Sequence, residues 1–246
     1  PFTQEHYYSL QSVFAAVDRA ERPYDVAPAV QAPTKESEDS PPRRMVYSAA
    51  THFPQQGNFH PTEGKPRAVK VLHRGNETQP GKDVQPGTIP LRADDAWQFK
   101  LPSDHSEGDR RAALARWVTR PDHPFTWRSI VNRVWQYHFG RAIVDSANDF
   151  GRMGQLPTHP ELLDWLATEF VRLGWDMKAL HRLLVTSATF RQSSHVPRER
   201  YEKDPDNRLL ARGPRLRLSG AAIRDQALAI SGLLVKTKGG PAAQPY

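Results

Sequence analysis

The chain has 246 residues, of which only 38% are hydrophobic and 22 are proline, so a single tight core spanning its whole length is excluded. It has no cysteine, which excludes disulfides, thiolate metal ligands, a cysteine nucleophile and covalent haem attachment within these residues. Residues 1–102 carry 12 basic and 12 acidic side chains and residues 103–246 carry 22 and 15, so the whole net charge of +7 lies in the second part.

Eighteen of those 22 basic residues are arginine. A basic balance points toward polyanions. However, no Lys/Arg run exceeds two residues, and arginine pairs equally well with carboxylates inside a helical domain. Nucleic acid is therefore disfavoured as a partner. No run of 18 apolar residues exists, so no membrane span is expected, and no signal peptide is present. The chain starts at Pro1 and stops just after "KTKGGPAAQPY", and both ends read as cuts through a longer protein.

In chain order, "TQEHYYSLQSVFAAVD" (3–18) predicts a helix, with Tyr7, Leu10, Val13, Phe14 and Val17 at helical spacing and Thr3 as its cap. One striped helix cannot bury itself, so its domain should lie mostly before residue 1. Residues 19–66 hold eight prolines and "TKESEDS" and read as a linker or arm, with 19–43 lacking regular structure. Strand signals are confined to about 44–75: "RMVYSA" (44–49) and "AVKVLHRG" (68–75), the latter alternating Val69, Val71 and His73. Residues 67–107 are otherwise irregular, and "NETQPGKDVQPGTIP" (76–90) is turn chemistry.

From about residue 108 the pattern is helical. Six helices are expected at 109–120, 124–140, 158–174, 176–192, 204–213 and 219–235. Gly140 and Gly174 sit at C-terminal caps. Thr158 and Glu161 have capping-box spacing, and Asp176 caps the next helix. The expected core comprises Trp117, Trp135, Trp165, Leu166, Phe170, Leu184 and Leu228. The fold class is thus mainly α: a six-helix, bundle-like C-terminal domain over 108–246, preceded by an irregular Pro-rich arm with two or three short strands.

Three long motifs, "VNRVWQYHFGRAIVDSANDFGRMGQLPTHPELLDWLATEF", "GWDMKALHRLLVTSATFRQSS" and "DPDNRLLARGPRLRLSGAAIRDQALAISG", resemble the C-terminal domain of unknown function in large planctomycete cytochrome c-associated proteins. Residues 1–18 resemble the tail of the cytochrome-like domain that precedes it. The resemblance implies an exported, periplasmic or cell-surface, multidomain parent. It implies c-type haem upstream and none in this chain, the upstream domain as partner, and a domain that continues past residue 246. It supplies no catalytic residues.

The chemistry candidates gather in "HFGRAIVDSANDFGRMGQLPTHPELLDW" (138–165). As a structural corner, Asn148 or Asp149 would bond turn backbone, Thr158 and Glu161 would cap the next helix, and Trp165 would be buried against Trp135 or its neighbours. As a site, Asn132, Arg133, His138, Asp149 and His159 would converge, with His138 and Asp149 as an acid/base pair. The corner reading leads. No metal signature is present: His159 and His181 lie on successive helices, but His181 reads as a packed or capping group. Neither a nucleophile elbow nor a phosphate loop occurs. For a haem fixed upstream, His6 is the axial-ligand candidate nearest in sequence, and His52, His60 and His73 lie in a region able to fold back over it. Three functions stand: a non-catalytic scaffold or interaction domain, which leads; an enzyme acting on an extracellular polymer with redox support from the upstream haem; and polyanion binding through the Arg-rich helices.

Overall fold

The computed structural model describes residues 2–25, 43–55, 57–92 and 96–235. Among the described residues, seven α-helices and one 3-10 turn make up 37% and strands 11%. The described residues up to Trp117 form one compact unit, and Val118–Val235 form a second.

The first unit opens with α1 (Gln4–Ser12). Thr3 caps it: the Thr3 hydroxyl accepts the His6 N–H at 3.3 Å, and His6 Nδ1 accepts the Thr3 N–H at 3.1 Å. The helix is shorter than the expected 3–18 and turned on its axis. His6, Tyr8, Ser9 and Ser12 are buried, while Tyr7 and Phe14 face solvent. Small polar side chains allow close backbone approach on the inner face, and Gly87 N–H donates to Ser9 O there at 3.1 Å.

The chain then leaves the helix at Val13 and enters β1 (Asp18–Asp25), which pairs antiparallel with β2 (Arg43–Ala50), Asp18 opposite Ala50 and Asp25 opposite Arg43. This corrects the expectation that 19–43 has no regular structure, as far as residue 25 and at residue 43; residues 26–42 lie outside the described residues. β1 reads "DRAERPYD" and has no apolar alternation, so periodicity could not reveal it. Its ladder with β2 supplies what its side chains lack. Asp18 anchors the strand's start, accepting the Thr62 N–H at 2.7 Å and pairing with Arg67 at 2.8 Å. Burial pushes this carboxyl up, but the Thr62 bonds and Arg67 outweigh it and hold it below its usual range.

β3 (Lys70–Leu72) pairs antiparallel with β4 (Pro80–Asp83) through one 3-10 turn, His73–Gly75. β4 lies where only turns were expected, so strands are not confined to 44–75. α2 (Glu107–Val118) follows.

The second unit holds α3 (Thr126–Phe139), α4 (Pro160–Arg172), α5 (Met177–Thr186), α6 (Arg198–Lys203) and α7 (Gly220–Ile230). Its core joins Trp127, Val131 and Trp135 of α3 to Leu163, Leu166 and Phe170 of α4 and to Leu180 and Leu184 of α5. Each large side chain of this kind contributes about 1.5–3 kcal/mol on burial. Trp127 stacks on Trp175 at 4.9 Å and meets Phe170 edge-on at 6.1 Å.

Five expectations need correction here. Trp165 is 51% exposed, because Leu163, Leu166, Ala167 and Phe170 form the inward stripe of α4 and residue 165 falls beside it. Leu228 is half-buried and lies outside the core, as does Trp117, which belongs to the first unit. Residues 204–213 are not a helix; α6 precedes them. The Asp204 carboxylate accepts the N–H groups of Arg208 and Leu209, and buried Arg212 donates to the carbonyls of Asp204 and Pro205. These side chains take backbone groups that a helix would use, and Asn207 and Leu210 have left-handed φ of 53° and 54°. Finally, α5 ends at Thr186, where Ser187 turns extended.

Candidate functional site

The corner between α3 and α4 is built from backbone bonds that polar side chains complete. Gly140, at φ 79°, ends α3 and donates to Gln136 O at 2.8 Å. Its missing Cβ matters twice, since one placed there would lie 2.3 Å from Leu216 Cδ2. Ser146 Oγ donates to Asp149 O at 2.7 Å and accepts the Gln155 N–H at 2.8 Å. Asp149 Oδ1 accepts the Gly151 N–H at 2.8 Å. Thr158 does not form the expected box with Glu161. His159 occupies the N-cap with no side-chain cap bond, Pro160 starts the helix, and the Thr158 hydroxyl donates instead to Ile143 O at 3.3 Å.

The five residues weighed as a site take separate tasks. Asn132 is 0% exposed. It clamps Val144 from both sides, Nδ2 donating to Val144 O at 3.0 Å and Oδ1 accepting Val144 N–H at 2.9 Å. Arg133 donates to Asn148 Oδ1. His138 bonds Val134 O through Nδ1 at 2.9 Å and meets His181 Nδ1 through Nε2 at 3.2 Å. His159 Nδ1 lies 3.0 Å from the Thr158 hydroxyl. Asp149 is engaged in its own turn. His159 shares a water-sized cavity of about 30 Å³ with Trp135, Arg141 and Asp206, and the other four residues do not line it. His6 takes the Thr3 N–H on Nδ1 and lies edge-on to Trp97 at 4.8 Å. Neutral imidazole then carries its proton on Nε2, so haem ligation through Nε2 would require that cap to open.

Sequence reasoning missed three features. One is the His138–His181 pair, whose members lie 43 positions apart. The second is a charge network. Asp145 accepts from Arg141 at 3.0 Å and from Arg208 at 2.7 Å, and Arg141 also pairs with Asp206 at 2.9 Å. The Arg141 bond holds the Asp145 carboxyl below its usual range; partial burial opposes this, and Arg208 reinforces it. The third is an open groove of about 600 Å³ on the outer side of the corner, walled by Phe125, Phe150, Leu156 and Leu163 with Arg128 and Arg152 beside them. Leu156 is 87% exposed, as is Met153 of the same loop at 90%. Only the charge pattern of "RAIVD" (141–145), with unlike charges four apart, hinted at any of these. Among the described residues no helix is long and apolar enough to cross a membrane.

Residues 110–246 match the model of a protein family described as PSD1, protein of unknown function (DUF1553). That is more than half of the chain, and the chain belongs to this family. No curated protein and no solved structure matches it.

Proposed function

We propose that this member of the PSD1 family acts as a non-catalytic interaction domain within an exported multidomain protein whose upstream, cytochrome-like part carries c-type haem. One observation carries the interaction reading. The corner commits its polar side chains to its own backbone and turns large apolar side chains to solvent. Asn132, Ser146, Asp149 and Thr158 each complete a backbone bond. Leu156 lines an apolar groove, and Met153, in sequence between the lining residues Arg152 and Gly154, is exposed. Contiguous exposed apolar surface marks contact sites, and methionine with arginine is enriched in them. The arginine surplus fits the same reading: Arg128, Arg141, Arg172, Arg198 and Arg208 all pair with carboxylates. The haem-bearing, exported context is supported by the sequence resemblance, in which residues 1–18 correspond to the tail of the preceding domain.

Two measurements on the full parent protein test the proposal. Its absorption spectrum with and without dithionite should show the bands of a c-type haem, and a colourless parent would refute the context. Met153→Glu with Leu156→Glu should leave the circular dichroism melt unchanged and abolish chemical cross-links between this domain and the rest of the parent. Cross-links that persist unchanged would refute the contact surface.

A further inference from the structure

We infer that His138 and His181 form a two-imidazole site for a borderline divalent transition-metal ion, with Cu²⁺ held most tightly, joining α3 to α5. His138 stands in the last turn of α3 and His181 in the middle of α5, on helices that pack together. His138 Nδ1 lies 2.9 Å from the Val134 carbonyl. A carbonyl only accepts, so in the neutral ring the proton sits on Nδ1 and Nε2 carries the lone pair, which faces His181. A ring N–H anchored on a carbonyl is the outer contact that orients metal-ligating histidines.

That Nε2 is 3.2 Å from His181 Nδ1. Two nitrogens bound 2.0–2.1 Å from one tetrahedral ion lie about 3.3 Å apart, so the rings already stand at chelating separation. Their centroids are 4.9 Å apart with planes inclined by 37°. The rings therefore lean together rather than meeting head-on, and the lone pairs can converge on a point outside the N···N line. Phe190 lies edge-on to His138 at 6.2 Å and walls one side, while His181 is exposed on the other.

In the metal-free pair His181 Nδ1–H donates to His138 Nε2. Metal binding replaces that hydrogen bond. The proton moves through water to His181 Nε2, both rings stay neutral, and both nitrogens donate lone pairs to the ion. Among the described residues no group of three or more His, Asp or Glu is placed to hold a metal, so water completes the coordination sphere.

The test is calorimetric titration of the 246-residue chain with CuCl2 and with ZnCl2, repeated on His138→Gln and His181→Gln. Glutamine at 138 keeps a donor for Val134 O, and His181 makes no other described bond, so both variants should fold, which circular dichroism checks. The native chain should show one tight site with Cu²⁺ above Zn²⁺, weakened at least roughly tenfold in each variant, the loss seen even when only a ligand's outer partner is removed. Paramagnetic resonance of the Cu²⁺ form should show two coupled imidazole nitrogens, reduced to one in either variant. Zn²⁺ should raise the melting temperature of the native chain and leave both variants unmoved. Equal affinity in all three chains, loss in only one variant, or no binding stronger than either variant shows would overturn the inference.

Discussion

α4 and α7 both belong to the second unit and both begin at a local start signal, yet they differ in everything that tertiary packing decides. α4 buries Leu163, Leu166, Ala167 and Phe170. α7 buries nothing: Ile223 is exposed and Leu228 only half-buried. Both have start signals, Pro160 at the first turn of α4 and the Ser219 hydroxyl accepting the Ala222 N–H at 3.2 Å on α7. Local signals therefore decide that a helix forms. Whether it becomes core depends on what the chain places opposite it, and an 11-residue helix that buries no side chain is marginal by itself.

The largest effect should fall on α4. Phe170→Ala removes the ring that meets Trp127 and should cost about 3–5 kcal/mol, whereas Ile223→Ala on α7 should stay within about 0.5 kcal/mol. Urea unfolding of both variants measures the contrast. Similar losses at the two positions would break it, and α7 amides as protected from hydrogen exchange as those of α4 would mean that α7 has a cover of its own.

Asn132→Ala tests whether the corner belongs with α4 or with α7 in this contrast. It strands the buried N–H and carbonyl of Val144, and it should cost about 2–4 kcal/mol, on the scale of 1–3 kcal/mol per orphaned group. A loss below about 1 kcal/mol in the same experiment would show that the clamp is dispensable.

Asp145 should act more weakly. Its carboxyl is held below the usual range by Arg141, against partial burial, and by Arg208. A carboxyl lowered in the folded state adds stability that is present above the unfolded pKa of about 3.9 and disappears as pH falls through the folded value. Asp145→Asn should therefore cost about 1 kcal/mol at pH 7, both arginines being partly solvated. The gap from the native chain should close in acid. Unfolding curves at pH 7 and pH 2.5 read this directly, and an equal gap at both would refute it.

The smallest effect separates two views of the α4 start. A capping box couples Thr158 to Glu161, but here Thr158 bonds Ile143 O. A double-mutant cycle of Thr158→Ala and Glu161→Ala should thus be additive within about 0.3–0.5 kcal/mol. A coupling near 1 kcal/mol would restore the box.

The sequence by itself determined the elements whose causes lie within a few residues. The 3.6-residue stripes of α3 and α4 are of this kind, as are the glycine stops at 140 and 174, the Asp176 cap and the Asp149 turn. Only the tertiary structure decided the rest. β1 exists because β2 supplies its ladder, and no residue of "DRAERPYD" announces that partner. Trp165 faces solvent and Trp127 lies in the core because the two differ in which side of a helix meets a neighbour, not in chemistry. Asn132 became a backbone clamp because Val144 returns beside α3. His138 and His181 meet because α3 and α5 pack side by side, which brings together two rings that their spacing along the chain leaves unrelated. Short-range propensity is written locally, whereas burial and ligation depend on which surfaces the folded chain presses together.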